Sequence, residues 1–200
     1  MHESSHSINY LYRGDVCLAY ALKDELLFGL DKSSSMQLSE RVLEKKGVQL
    51  ILKTMFQGST EVSYEPSGRP YLIGDSASAS ISISHSKNYI ALASSSRRIG
   101  IDIEEINERV LRVRSRFLNS KESEMINATD LELNTCAWCI KEALFKLSKS
   151  EGLNFKTDLL ILEEIESRKK FRCAMKEDNQ LKEVYIEIIR IDDMIIAFNV

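Results

Sequence analysis

A chain of 200 residues can bury an ordinary hydrophobic core, in one large domain or in two subdomains of about 100 residues each. Its apolar fraction of 44% and charged fraction of 28% exclude a disordered chain. A net charge of -3 argues against general affinity for nucleic acid or for an anionic membrane surface.

The sequence predicts a cytoplasmic protein. It contains no apolar run of the roughly 18 residues that a membrane helix needs, and its first residues lack the apolar region of a signal peptide. The four cysteines are too few and too scattered for a disulfide framework, so we expect reduced thiols.

The first elements predicted are a strand over Asp15 to Ala21, after an Arg13-Gly14 turn, and a helix from about Leu38 to Phe56. The helix carries several cations, among them Lys45 and Lys46. An ordinary solvated helix face is favoured for them, and an anion-binding role is the alternative.

Two further features of the first half could meet an anion. The turn Ser67-Gly68 presents Arg69 ahead of a short extended piece, and a strand marked by Ile81 and Ile83 ends at Ser84-His85-Ser86. A lone histidine is more often structural than a ligand. Its hydroxyl neighbours, however, suit a phosphate better than a core.

The next strands are expected to form an antiparallel meander: the histidine strand, then Tyr89 to Ser94, then the run Ile99-Gly100-Ile101-Asp102-Ile103-Glu104. Alternate residues of a strand share a face. The isoleucines can therefore enter a core while Asp102 and Glu104 point outwards together.

A helix over Glu108 to Leu118 carries four arginines, Arg109, Arg112, Arg114 and Arg116, beside an apolar stripe. The helix presents either a solvated basic face or a docking surface for an acidic protein. A polar stretch with a short helix is expected over Lys121 to Leu133.

The following helix, predicted from Asn134 to Ser148 and capped by Asn134 or Thr135, contains Trp138-Cys139-Ile140-Lys141-Glu142-Ala143-Leu144-Phe145-Lys146. Glu142 and Lys146 are four residues apart and should pair on one face, flanked by Lys141 and Phe145. The Cys136-x-x-Cys139 spacing is weak evidence for zinc, and two buried thiols are favoured.

Four β-rich segments complete the chain between Asp158 and Val200. The fold predicted is α+β with two similar subdomains, residues 1–98 and 99–200, each a helix on a small antiparallel sheet. We expect the active site in the cleft between them, since pockets favour such junctions.

Asp102, Glu104 and Glu142 are hard oxygen donors and favour Mg²⁺ or Mn²⁺ over zinc. Magnesium commonly also binds substrate phosphates, which predicts a diphosphate substrate with Lys146, Arg69 and His85 as its cations. The alternative for either motif alone is a solvated strand face or a helix-stabilising ion pair.

Together the two motifs resemble the 4′-phosphopantetheinyl transferase superfamily, in its longer type with two similar halves in one chain. Gly68-Arg69-Pro70, where the family often has Gly-Lys-Pro, and Ile83-Ser84-His85-Ser86 add to the resemblance, which runs from about Arg41 to Leu160.

The resemblance implies that coenzyme A donates its 4′-phosphopantetheine arm to a serine of an apo carrier protein. Asp102, Glu104 and Glu142 would hold Mg²⁺, with Glu142 also the general base and Lys146 steadying the phosphates. Arg69, Ser84 and His85 would bind coenzyme A, with Lys45 or Lys46 at its 3′-phosphate. An acidic carrier would dock on Arg109, Arg112 and Arg116, and the enzyme would act as a monomer.

Two other functions use the same residues. A phosphohydrolase would employ the three carboxylates with water as the nucleophile on a diphosphate. A module without catalysis would retain only the binding of coenzyme A or of a carrier protein.

Overall fold

The computed structural model describes residues 7–26, 39–56 and 58–200. They fall into two units, Met1–Arg98 and Ile99–Val200. Each unit packs a helix on antiparallel strands, which confirms the predicted α+β class. No helix of the described residues is both long enough and apolar enough to cross a membrane.

The first unit is built on the sheet β1-β2-β6-β5, with β3 and β4 paired as a separate hairpin. Its elements are β1 Asn9–Arg13, β2 Val16–Leu22, α1 Lys23–Leu26, α2 Glu40–Met55, β3 Thr60–Tyr64, β4 Pro70–Gly74, β5 Ser80–His85 and β6 Tyr89–Ser95. The predicted strand at residue 15 corresponds to β2. Strand β1, which pairs with it, was not predicted.

Helix α2 confirms the predicted helix, although the predicted first residue, Leu38, lies outside the described residues. Its buried side chains, Val48, Ile51 and Leu52, belong to the core of this unit. Gly47 allows close packing there, because a Cβ at this position would lie 2.4 Å from the Cδ1 of Ile90.

The predicted three-stranded meander is wrong in its last member. Strands β5 and β6 pair as expected, but both sides of β6 are occupied, by β5 and by β2. No edge of β6 remains for the acidic strand. That strand instead pairs with the last strand of the chain, with Asp102 opposite Ala197.

The second unit contains one antiparallel sheet in the order β7-β11-β10-β9-β8. Its elements are β7 Ile101–Glu105, α3 Arg109–Phe117, α4 Ser120–Met125, α5 Leu131–Leu147, β8 Leu159–Glu166, β9 Lys170–Glu177, β10 Gln180–Ile191 and β11 Met194–Asn199. The four predicted C-terminal β segments are confirmed.

Helix α5 begins three residues earlier than predicted. Its N-cap is Asp130, whose side chain accepts a hydrogen bond from the backbone N–H of Leu133. The predicted caps, Asn134 and Thr135, lie buried inside the helix. Its apolar face packs Ile140 and Leu144 into the core of this unit.

Candidate active site

The two motifs of the sequence meet because helix α5 crosses directly over the start of β7 at Gly100. A Cβ at this position would lie 2.2 Å from the carbonyl oxygen of Ala143 and 2.8 Å from the backbone nitrogen of Leu147. The backbone N–H of Gly100 donates to Asn199 Oδ1 at 2.8 Å. Glycine therefore permits an approach of helix to strand that a side chain would block.

The acidic face of β7 was predicted to point outwards. In the structure it is covered by helix α5 instead. Ile101 and Ile103 are buried on the opposite face of the strand, as the alternation indicates. Asp102, however, is also buried, with 4% of its surface exposed, and Glu104 is partly buried. The helix encloses the carboxylates because it lies so close to the strand.

Lys146 links the two motifs by an ion pair with the buried acid. Its Nζ lies 2.8 Å from Asp102 Oδ1. The sequence had instead placed Lys146 against Glu142, one turn earlier on the helix. The ammonium group still affects that carboxylate, since it lowers the pKa of Glu142 against larger opposing effects.

Trp138 provides a second link between helix and strand. Its indole Nε1–H donates to Glu104 Oε1 at 2.9 Å. The indole ring also stacks on Phe155 at 5.7 Å between centroids, and Phe155 stacks on Phe145 at 5.6 Å. Phe145 is 42% exposed, so this row of rings runs from the acidic site to the surface.

The three carboxylates interact electrostatically. Burial, followed by the charge of Asp102, raises the pKa of Glu142 to about 7. Burial and the same aspartate raise the pKa of Glu104, against the hydrogen bond from Trp138. A proton or a cation would therefore relieve the repulsion within the cluster.

Both thiols of the Cys136-x-x-Cys139 segment are buried and free, as predicted. Burial raises the pKa of Cys139 well above its usual value, and the charges of Asp102 and Glu104 add to that effect. Cys139 is therefore a protonated, unreactive thiol that packs beside the three carboxylates.

The sequence analysis placed Lys141 beside Glu142 and Lys146 on one face of α5, but the Lys141 side chain is turned into the protein. It is 0% exposed, and its Nζ lies 2.5 Å from Glu122 Oε1 and 2.8 Å from the carbonyl oxygen of Phe155. It also donates to the carbonyl oxygen of Leu159, and Glu122 Oε1 accepts from the N–H of Ile161. Lys141 therefore attaches α5 to α4 and to the segment before β8, at the position next to Glu142 in the chain.

The predicted phosphate ligands of the first unit lie at strand ends and on α2. Ser84 is buried and His85 is exposed at the end of β5, whereas Arg69 is partly buried just before β4. Lys45 and Lys46 are exposed on α2. Their predicted contacts with coenzyme A remain predictions.

Sequence reasoning missed two residues beside His85. His85 Nε2 lies 3.1 Å from Glu44 Oε2, and Lys23 Nζ lies 2.7 Å from Glu44 Oε1. Glu44 precedes the two lysines that the sequence analysis selected on α2. No spacing rule connects Lys23 with this helix, because 21 residues separate it from Glu44 along the chain.

The arginines of the basic helix α3 have two kinds of surroundings. Arg114 is internal: its guanidinium donates to Asn134 Oδ1 at 2.8 Å and to the carbonyl oxygens of Ser123 and Ile126. The three arginines predicted to dock a partner are exposed; they are Arg109, Arg112 and Arg116.

Within residues 7–26, 39–56 and 58–200, no group of three or more histidine, cysteine, aspartate or glutamate side chains is arranged so that it could hold a metal ion. In this structure the Lys146 ammonium forms an ion pair with Asp102. By their chemistry, however, Asp102, Glu104 and Glu142 fit a hard divalent cation, because all three are oxygen donors that repel one another.

Comparison with known proteins finds a family match for the second unit. The family model of the 4′-phosphopantetheinyl transferase superfamily matches residues 98–198, which include β7 and α5. No curated protein matches the chain.

Proposed function

The chain belongs to the 4′-phosphopantetheinyl transferase superfamily, and from this we propose that it transfers 4′-phosphopantetheine from coenzyme A to a serine of an apo carrier protein. One observation supports this most directly. Helix α5 brings Glu142 and Lys146 of one motif into electrostatic contact with Asp102 of the other.

In the proposed reaction the serine hydroxyl oxygen attacks the phosphorus that carries the pantetheine arm. A new P–O bond forms to the serine, and the P–O bond within the diphosphate breaks. Adenosine 3′,5′-bisphosphate leaves with that bond pair, and the serine proton passes to a base. Such a transfer depends mainly on positioning and on charge neutralisation.

Glu142 is the proposed base. A general base is most effective when its pKa lies near the working pH, and in the metal-free protein burial together with Asp102 raises the pKa of Glu142 to about 7. Lys146, whose side chain is 27% exposed, stabilises negative charge on the phosphates.

The proposed metal ligands are Asp102, Glu104 and Glu142. When bound, Mg²⁺, or Mn²⁺ in its place, would neutralise the diphosphate charge. In the chain itself Trp138 fixes the Glu104 carboxylate through the bond to Oε1. Asp102 itself is buried, so little water reaches its carboxylate.

For the donor substrate we propose that Arg69, Ser84 and His85 bind the phosphates of coenzyme A and that Lys45 or Lys46 binds the 3′-phosphate. An acidic carrier protein would dock on Arg109, Arg112 and Arg116. We also propose that the enzyme acts as a monomer in the cytoplasm, where its free cysteines would stay reduced.

The test is mass spectrometry of several apo carrier proteins after incubation with coenzyme A, Mg²⁺ and this protein. We expect a gain of one phosphopantetheine per carrier. Asp102→Ala and Glu142→Ala should each lower the rate by at least about 100-fold with the fold retained in circular dichroism.

Three results would contradict parts of the proposal. No mass gain with any carrier would contradict the transfer, and release of 4′-phosphopantetheine without a carrier would identify a phosphohydrolase. Full activity of the Asp102→Ala variant would contradict the assignment of the metal ligands.

A further inference from the structure

The carboxylate of Glu44 lies between a lysine ammonium group and a histidine imidazole in the first unit. Its Oε1 is 2.7 Å from Lys23 Nζ, and its Oε2 is 3.1 Å from His85 Nε2. The three side chains are Lys23, Glu44 and His85, and we call them the His85 cluster. They come from α1, α2 and β5.

Exposure differs sharply along the His85 cluster. The side chains of Lys23 and Glu44 are 11% and 16% exposed, whereas that of His85 is 51% exposed. The ion pair is therefore internal, and the imidazole is the member that reaches solvent. A ligand would meet the imidazole first.

The two ring nitrogens of His85 can then have different tasks. An imidazolium carries a proton on each nitrogen, so Nε2 can donate to Glu44 while Nδ1 donates to a second anion. Carboxylates commonly fix histidine rings in this way, and the partner on one nitrogen sets what the other can do.

We propose that Glu44 is a positioning residue that holds the Nε2 edge of His85, so that the Nδ1 edge is presented to a phosphate of the ligand. Lys23 in turn holds Glu44. The inference rests on the proposed function, in which His85 binds coenzyme A, and it assigns the side chains that orient this ligand.

Lys23 makes the arrangement electrostatically suitable for an anion. A lone carboxylate behind the imidazole would repel the phosphate. Lys23 offsets that charge at 2.7 Å, so the cluster carries a net positive charge when His85 is an imidazolium. Glu40 also approaches Lys23, at 3.4 Å, but it is 76% exposed and screened by water.

The first test compares Glu44→Gln with a matched control. Glutamine keeps the size of the side chain and removes its charge. Glu40→Gln makes the same change on the same helix, beside the same Lys23. Calorimetric titration with adenosine 3′,5′-bisphosphate and with coenzyme A should show affinity lowered at least about fivefold by Glu44→Gln, and by less than twofold in the control.

The second test observes the imidazole itself in the wild-type protein. The chain has three histidines, so protein labelled with ¹⁵N-histidine gives few ring signals, and His85→Gln identifies those of His85. Adding adenosine 3′,5′-bisphosphate should shift the Nδ1 signal of His85. A merely structural ion pair would leave that signal unchanged.

The outcomes separate this inference from the proposed function. Wild-type affinity in Glu44→Gln, or an unchanged Nδ1 signal in a protein that binds the nucleotide, would overturn the inference alone. Tighter binding by Glu44→Gln would show that Glu44 competes with the ligand, which also overturns it. A wild-type protein that binds neither nucleotide would overturn both.

Discussion

Glu142 is the residue whose chemistry depends most on the fold. It is partly buried, and Asp102 and Glu104 both raise its pKa while Lys146 lowers it. The proton that it holds near neutral pH is the same proton that a bound cation would displace. The repulsion that raises this pKa in the metal-free protein would also favour the binding of a cation by the deprotonated carboxylate.

The raised pKa predicts how the stability of the metal-free protein changes with pH. The pKa of Glu142 is about 7 in the folded protein and near 4.5 when unfolded. The folded state therefore binds more protons between these values, and the free energy of unfolding should fall as pH rises from about 5 to about 8. Urea denaturation with EDTA at several pH values measures this slope.

Glu142→Gln supplies the control, because the amide does not titrate. The fall in stability over the same pH range should become shallower, although not flat, since the pKa of Glu104 is raised as well. An equal slope in both proteins would show that Glu142 titrates normally.

The sequence predicted which residues form the acidic site but not how they pair. The i,i+4 rule matches Lys146 with Glu142 on an isolated helix. In the fold, Asp102 is buried beneath that helix, and a buried carboxylate gains more from the ammonium than a partly exposed one. Lys141 was misplaced because its partner, Glu122, lies on a different helix.

Among the elements, α5 and β7 depend on each other through Gly100. Gly100→Ala would place a methyl group against the backbone of α5, 2.2 Å from the Ala143 oxygen. Backbone cannot rotate away as a side chain can, so we expect a loss of about 1–3 kcal/mol in the free energy of unfolding. The transfer rate should fall too, because Lys146 and Asp102 would separate.

A suitable control is Gly152→Asn. Gly152 has open space around its Cβ position, and asparagine tolerates its φ of +66°. Urea denaturation of both variants should show the larger loss for Gly100→Ala. If Gly100→Ala is as stable and as active as the wild type, then the close contact of α5 with β7 does not support the site.

The sequence predicted which segments are helices and strands more accurately than it predicted which strands pair with each other. The period of the hydrophobic pattern located α2, α5 and the C-terminal strands because that pattern is local. The pairing of β7 with β11 joins residues 95 positions apart, Asp102 and Ala197, and no local pattern encodes such a pairing. The assumption that consecutive strands pair produced the wrong meander.

At the scale of the whole molecule, charge is distributed unevenly. The chain carries a net charge of -3, yet Arg109, Arg112 and Arg116 are all exposed on α3. Arg114, on the same helix, is used internally. A basic surface on an otherwise acidic protein suits an acidic protein partner better than a nucleic acid, whose phosphates the remaining surface would repel.

Reversing the charges Arg112→Glu and Arg116→Glu should therefore weaken the binding of an acidic carrier protein by at least about tenfold at low salt. The KM for coenzyme A should stay within about twofold, because neither arginine belongs to the proposed donor site. Lys156→Glu with Lys169→Glu, two exposed lysines elsewhere in the same unit, makes the same change in net charge and should weaken the carrier less. Equal loss of carrier and coenzyme A affinity in the α3 variant, or equal weakening of the carrier by both double variants, would contradict docking on α3.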